Sequence, residues 1–224
     1  MFQMELYLKP TKAIDSDNEA IIKKAKELTS HSHSDRDKAV ALFYFVRDSI
    51  YYNPYMISTF FEDFIASTTL ARGKGYCVQK AVLLAALARA AGIPSRLVFA
   101  KIKNHRLPQE FFAKTGINVL LSHGYTQLYL NEKWVNVSPT FNKELCENIG
   151  VPVVEFDGIN DAMHPPYDLS GNPYIEYIEK YEPQADLPFE WIRNRVLPVW
   201  GEKRSWSTSE DSKGHRMPSG YIFE

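Results

Sequence analysis

The sequence predicts an α+β fold. Segments with helical apolar spacing come first, within residues 16–50 and 77–91. Segments with strand-like alternation follow, at 95–102 and 123–138. Because the two kinds are segregated along the chain, helices packed on an antiparallel sheet are favoured over a parallel βαβ array.

Taken in order, residues 1–13 alternate weakly through Leu6 and Leu8 and are read as a first strand. Ser16 and Glu19 have capping-box spacing, and Ile21, Ile22, Ala25 and Leu28 follow on one helical face. Ser34 and Asp37 open a second helix in the same way, with Ala39, Leu42, Phe43, Val46 and Ile50 as its stripe. Tyr51-Tyr52-Asn53-Pro54 ends it. Residues 54–76 mix aromatic and polar groups and finish at Gly73 and Gly75. A third helix is predicted from about Cys77 to Ala91, stopped by Gly92-Ile93-Pro94. It is apolar nearly all round, as a central buried helix would be.

Ser95 to Ile102 is strand-like, and 103–121 reads as a long loop or lid. His123–Leu130 and Trp134–Ser138 both alternate and pair as a hairpin across Asn131-Glu132-Lys133. Beyond 139 the frequent prolines predict an irregular wrap with a short helix near Ile175–Lys180. One domain is expected over 1–200, followed by a polar tail at 201–224.

Of the 224 residues 45% are apolar and 24% charged, the balance of an ordinary soluble globular protein. A net charge of −1 and the absence of a basic block argue against nucleic acid as a partner. No apolar run is long enough to span a bilayer, so no membrane partner is expected. Glu5 sits where a signal peptide needs a basic region, which points to a cytoplasmic location. In that compartment Cys77 and Cys146 are expected as free thiols.

The chemistry-bearing stretch is Gly75-Tyr76-Cys77, which puts a thiol at the first turn of the most apolar helix. A cysteine nucleophile needs a partly ionised thiol, an adjacent base, and a third group that holds the base in one tautomer. A helix N-terminus lowers a thiol pKa, and its free amides suit an oxyanion. His123 opens a strand, and its hairpin partner carries Trp134, Asn136 and Ser138 on one face. Asn136 or Ser138 is therefore the candidate for orienting the imidazole.

Several motifs together resemble the transglutaminase-like superfamily. They are Thr69 to Cys77, Leu84 to Arg89 with Ala91-Gly92-Ile93-Pro94-Ser95-Arg96, His123-Gly124-Tyr125, and Trp134 to Thr140. They cover about residues 38–142, and Tyr7 to Thr11, Ile14-Asp15 and Glu155 to Gly158 also look like bacterial members. The resemblance implies a papain-like α+β fold with a Cys–His–Asp triad. In it Cys77 matches the nucleophile and His123 the base. Ser138 stands where the family has aspartate, and a hydroxyl accepts more weakly than a carboxylate. Asn136 is the alternative third member.

Other residues carry plainer readings. Tyr76 and Trp134 are candidates for lining a substrate channel, with core packing as the competing role. His31 and His33 lie in a Ser-rich turn, where a solvated loop outweighs a metal site that would need three or four ligands. His105 is lid filler, Cys146 is structural between acids, and Arg89 and Arg96 are expected in structural ion pairs. No metal or other cofactor is expected. The expected activity is cysteine-dependent acyl transfer on a carboxamide or peptide bond, by hydrolysis or transamidation, with a peptide or protein amide as substrate. The alternative is a degenerate module that binds peptides or partner proteins without chemistry. A different cysteine hydrolase, such as a deglycosylating amidase, is a third reading.

Overall fold

A computed structural model of the chain describes residues 2–107, 113, 118–202 and 204. In chain order its elements are α1 (Phe2–Glu5), α2 (Glu19–Thr29), α3 (Asp35–Tyr44), β1 (Tyr51–Tyr52), α4 (Ala66–Arg72) and β2 (Lys74–Gly75). Then come α5 (Cys77–Ala90), β3 (Ser95–Asn104), β4 (Val119–Leu130), β5 (Lys133–Val137), α6 (Lys143–Ile149), β6 (Ile175–Lys180) and α7 (Phe189–Trp200). The fold is α+β: α5 lies against a four-stranded antiparallel sheet in the order β5-β4-β3-β6. A parallel pair, β1 and β2, brings the end of the α3 region beside the residues that lead into α5.

Helix α5 has almost no exposed face because it is covered on all sides. The N-terminal helices cover one side, and Leu97, Phe99, Leu128, Leu130, Val135 and Val137 of the sheet cover the other. Two polar side chains within it are satisfied internally. Lys80 donates to the carbonyls of Arg47 (3.0 Å) and Ile50 (2.6 Å), and burial drives its pKa well down. These carbonyls are freed where α3 loosens into a π turn at Phe45–Ser49. Arg89 donates to the carbonyls of Lys9, Ser95 and Ala185, so it bonds backbone rather than forming the expected ion pair. Arg96 likewise lies on the Trp134 ring, 4.0 Å from its centroid, and donates to Gln127.

The opposite sheet face carries a second cluster built from Val98, Ala100, Ile102 and Tyr125, closed by Cys146, Val151, Tyr174 and Ile175. Both cysteines are free and buried. Burial, with Asp48 and Glu147 adding to it, pushes the Cys146 thiol up to about 11.

Several local expectations are corrected. Residues 2–5 are helical, not a strand. The N-cap of α2 is Asn18, which accepts from the Ala20 amide at 2.9 Å, two residues beyond Ser16. Ser34 does cap α3, accepting from Asp37 N at 3.1 Å. The hairpin turn is two residues, Asn131 and Glu132, both at positive φ, and β4 begins at Val119 rather than His123. The short helix expected near 175–180 is instead β6, an edge strand on β3. Its backbone completes β3's ladder, and that tertiary gain outweighs the local pattern. Much of the 103–121 lid and of the 201–224 tail lies outside the described residues.

Candidate functional site

The start of α5 is fixed before any chemistry is considered. Helix α4 ends at Gly73 in the left-handed region, φ 64°, and the chain turns into β2. At Gly75 a β-carbon would come within 3.1 Å of Gln79 Cβ and Oε1, so a side chain there would collide with the cap. Gln79 Oε1 accepts from the Tyr76 amide (3.1 Å), and its Nε2 donates to the Asp63 carbonyl (2.9 Å). The Asp63 carboxylate in turn accepts from Ser58 (2.6 Å), Arg72 (2.5 Å) and Arg204 (2.7 Å). Burial alone would raise its pKa, but these bonds hold it below the usual carboxylate range.

Cys77 is the first residue of α5 and is 6% exposed. Gly124 makes its placement possible, because a β-carbon there would meet Val78 Cα at 3.1 Å. The strand therefore lies directly on the first helical turn. Backbone amides of Gly124, Val78 and Cys77 itself reach the thiol and favour the thiolate. Burial is the larger effect and pushes the thiol up to about 11. The lowering expected from the helix N-terminus is thus outweighed, and the resting thiol is neutral.

His123, next to Gly124 in β4, is 2% exposed. Burial alone moves its pKa down to about 4, and no carboxylate contributes. Its Nε2 is buried without a hydrogen-bond partner. Cys77 and His123 line one cavity of about 330 Å³, closed by Tyr76, Leu120, Val196 and Trp200. Arg195 also lines it, its guanidinium 3.6 Å from the centroid of Trp191, and among the described residues no acidic side chain does. Tyr76 thus falls in the cleft, with its hydroxyl unpartnered.

Two sequence candidates lie elsewhere. Trp134 packs edge-on to Tyr7 and Tyr129, with Arg96 over its face, at the hairpin end of the sheet. It lines no part of this cavity. Asn136 shares the His123 side of the hairpin but pairs with Gln127, four residues on, about 13 Å along the strand. Its amide donates to Asp161 (2.6 Å) and accepts from Gln127 (2.8 Å), so it does not orient the imidazole. Ser138 lies just past β5, with its Oγ 3.0 Å from Thr140 Oγ1 and 3.2 Å from His164 Nε2.

His164 is a residue that sequence reasoning missed. Its ring centroid lies 5.7 Å from that of His123, and it is buried among Phe141, Tyr174 and Ser138. It sits in the proline-rich wrap before Pro165-Pro166, and no local spacing links it to the hairpin. His105 lies 3.7 Å from Glu176 and is not part of the cluster. Among the described residues no group of three or more His, Cys, Asp or Glu could hold a metal ion. None of their helices is long and apolar enough to cross a membrane.

No curated protein matches the chain. Among solved structures it is similar to a candidate cysteine protease from Cytophaga hutchinsonii. That match has 16% identity and a TM-score of 0.49, and covers 81% of this chain and 54% of that one. It is also similar to a candidate protease from Parabacteroides distasonis, with 17% identity, TM-score 0.39, and 61% and 25% of the two chains covered. The periplasmic domain of TgpA from Pseudomonas aeruginosa matches with 23% identity and TM-score 0.38, over 55% and 42%. The chain therefore spans about half or less of each of these structures. The profile of the transglutaminase-like superfamily matches residues 22–139, more than half of the sequence and a span that includes Cys77, His123 and Ser138. The chain belongs to the transglutaminase-like superfamily.

Proposed function

We propose that the protein is a cysteine-dependent acyl-transfer enzyme acting on a carboxamide or peptide bond whose acyl side carries an apolar group. The supporting observation is that Cys77 and His123 line one largely apolar cavity, with backbone amides gathered at the thiol. The thiol starts neutral, so His123 acts as a general base during attack rather than as half of a preformed ion pair. As Sγ bonds to the substrate carbonyl carbon, the thiol proton passes to the imidazole. The amides at the start of α5 hold the oxyanion. The imidazolium then returns the proton to the leaving amine as the C–N bond breaks, leaving a thioester on Cys77. Water or a second amine releases the acyl group. Peptide or protein amides are the substrates this reading favours.

The competing reading is a peptide-binding module without chemistry. Ser138 in place of a carboxylate supports it, as does the high thiol pKa. Incubating the full chain with p-nitrophenyl hexanoate and mapping the adduct by mass spectrometry separates the two. Acyl transfer predicts hexanoyl on Cys77, none in Cys77→Ala, and strong slowing in His123→Ala. An unmodified Cys77, or acylation indifferent to His123, leaves the binding reading standing.

A further inference from the structure

Where the superfamily pattern has a carboxylate, this chain has Ser138, and the Ser138 hydroxyl is turned away to Thr140 and His164. The nitrogen that such a carboxylate would receive, Nε2 of His123, is left buried and unpartnered. Across a ring separation of 5.7 Å, Nδ1 of His164 is in the same condition. Unpaired buried nitrogens cost free energy, and two on neighbouring rings are a signal rather than a coincidence.

We propose that His164 is the positioning residue for His123, its Nδ1 lone pair accepting the Nε2 proton that a carboxylate accepts in other triads. The inference rests on the acyl-transfer reading above. His164 lies outside the segment matched by the superfamily profile. In this arrangement His164 Nε2–H donates to Ser138 Oγ, and Ser138 Oγ–H donates to Thr140 Oγ1, one of the two directions their geometry allows. This leaves Nδ1 of His164 as an acceptor, reached directly after a small ring rotation or through one bridging water. His123 is then held as the Nε2–H tautomer, and its Nδ1 lone pair is the base available to Cys77.

The serine at 138 and the histidine at 164 act as a pair. A smaller side chain at the carboxylate position makes room for the imidazole, and its hydroxyl occupies Nε2 of that ring, leaving Nδ1 to face other partners. A neutral acceptor steadies imidazolium less than a carboxylate does. The charged groups around the pair are few. Lys80 disfavours a proton on His164, as does His123 itself. Tyr125 and Tyr177 are the titratable rings beside His123, and both hydroxyls are driven up by burial. Positive charge on the pair is therefore tolerated only while the oxyanion is present.

The deciding experiment uses the full chain. Imidazole ¹⁵N shifts report the His123 tautomer, and p-nitrophenyl hexanoate reports Cys77 acylation from pH 4 to 9. In wild type His123 is expected as the Nε2–H form alone. His164→Leu mixes the tautomers and slows acylation at pH 7 by about tenfold or more, without lowering the unfolding midpoint. His164→Asn, whose Oδ1 falls where Nδ1 was, restores a single tautomer and most of the rate.

An Nδ1–H form in wild type overturns the proposal, whatever the variants do. So does a His164→Leu protein that acylates like wild type, or a His164→Asn protein no better than His164→Leu. If His123→Ala slows acylation and His164→Leu does not, only this inference falls. If no acyl group reaches Cys77, the acyl-transfer reading falls and the tautomer alone judges His164.

Discussion

Asp63 and His123 are both inaccessible to solvent, at 0% and 2% exposure, and both stand beside the first turn of α5. Their surroundings differ. Both carboxylate oxygens of Asp63 are paired, and its backbone carbonyl receives Gln79. The His123 cluster holds several polar atoms with no partner: Nε2 of His123, Nδ1 of His164, and the hydroxyl of Tyr174. A fully paired buried network stabilises and rigidifies, whereas a partly paired one costs stability. One side of Cys77 is therefore built to hold it still, and the other is kept free to handle a proton.

The sharpest way to break this contrast is Asp63→Ala. It leaves Arg72 and Arg204 without their buried anion and is expected to cost about 3–5 kcal/mol, read from urea unfolding. A loss under 1 kcal/mol would show that the paired side does not anchor the site.

Acid separates the two sides next. The folded pKa of His123 is depressed from 6.5 to about 4, so its neutral form contributes stability that is fully present above 6.5. That contribution falls away as pH drops through 6.5 toward 4, and is worth up to about 3 kcal/mol. His164 shifts in the same direction. Asp63, lowered from 3.8, keeps its contribution until still lower pH. Acid unfolding should therefore show a first loss of stability between pH 6.5 and 4 that His123→Gln reduces. An unchanged slope in that variant would assign the loss to other groups.

Gly124→Ala is the third probe. The added methyl has 3.1 Å to Val78 Cα and 3.3 Å to Phe99 Cε1, so the strand must retreat. An expected cost of about 1–3 kcal/mol should come with slower acylation of Cys77, since His123 moves with the strand. The smallest effect is expected from Trp134→Ala. Losing its stack with Arg96, Tyr7 and Tyr129 should cost about 1–2 kcal/mol and leave acylation unchanged. A fall in acylation would return Trp134 to the substrate channel.

The helix that carries Cys77 was largely legible in the sequence, whereas the Asp63 network beside it was not. Apolar spacing, the glycines before Cys77 and the stop at Gly92-Ile93-Pro94 place α5 within one residue of its observed end. The hairpin was also legible, because alternation and a short polar turn are local signals. What escaped depends on contacts far apart in sequence. Ile175–Lys180 is a strand only because β3 offers an open edge. Asn136 is on the expected side of the hairpin, but Asp161, 25 residues away, claims its amide. His164 has no periodic neighbours, and only the folded wrap brings it to Ser138. The thiol pKa was misjudged because a helix N-terminus is visible in sequence, whereas the depth of its burial is not.

The bond from Arg204 to Asp63 joins residues 141 positions apart. On a ribosome adding about 5–20 residues per second, this contact cannot form until nearly the whole described chain has emerged. Helix α5 and its sheet can assemble earlier, but the anchor at the base of the nucleophile turn is fastened last. A nascent chain would therefore carry Cys77 for several seconds before its cleft is secured, and a prematurely truncated product would retain the thiol without that tether.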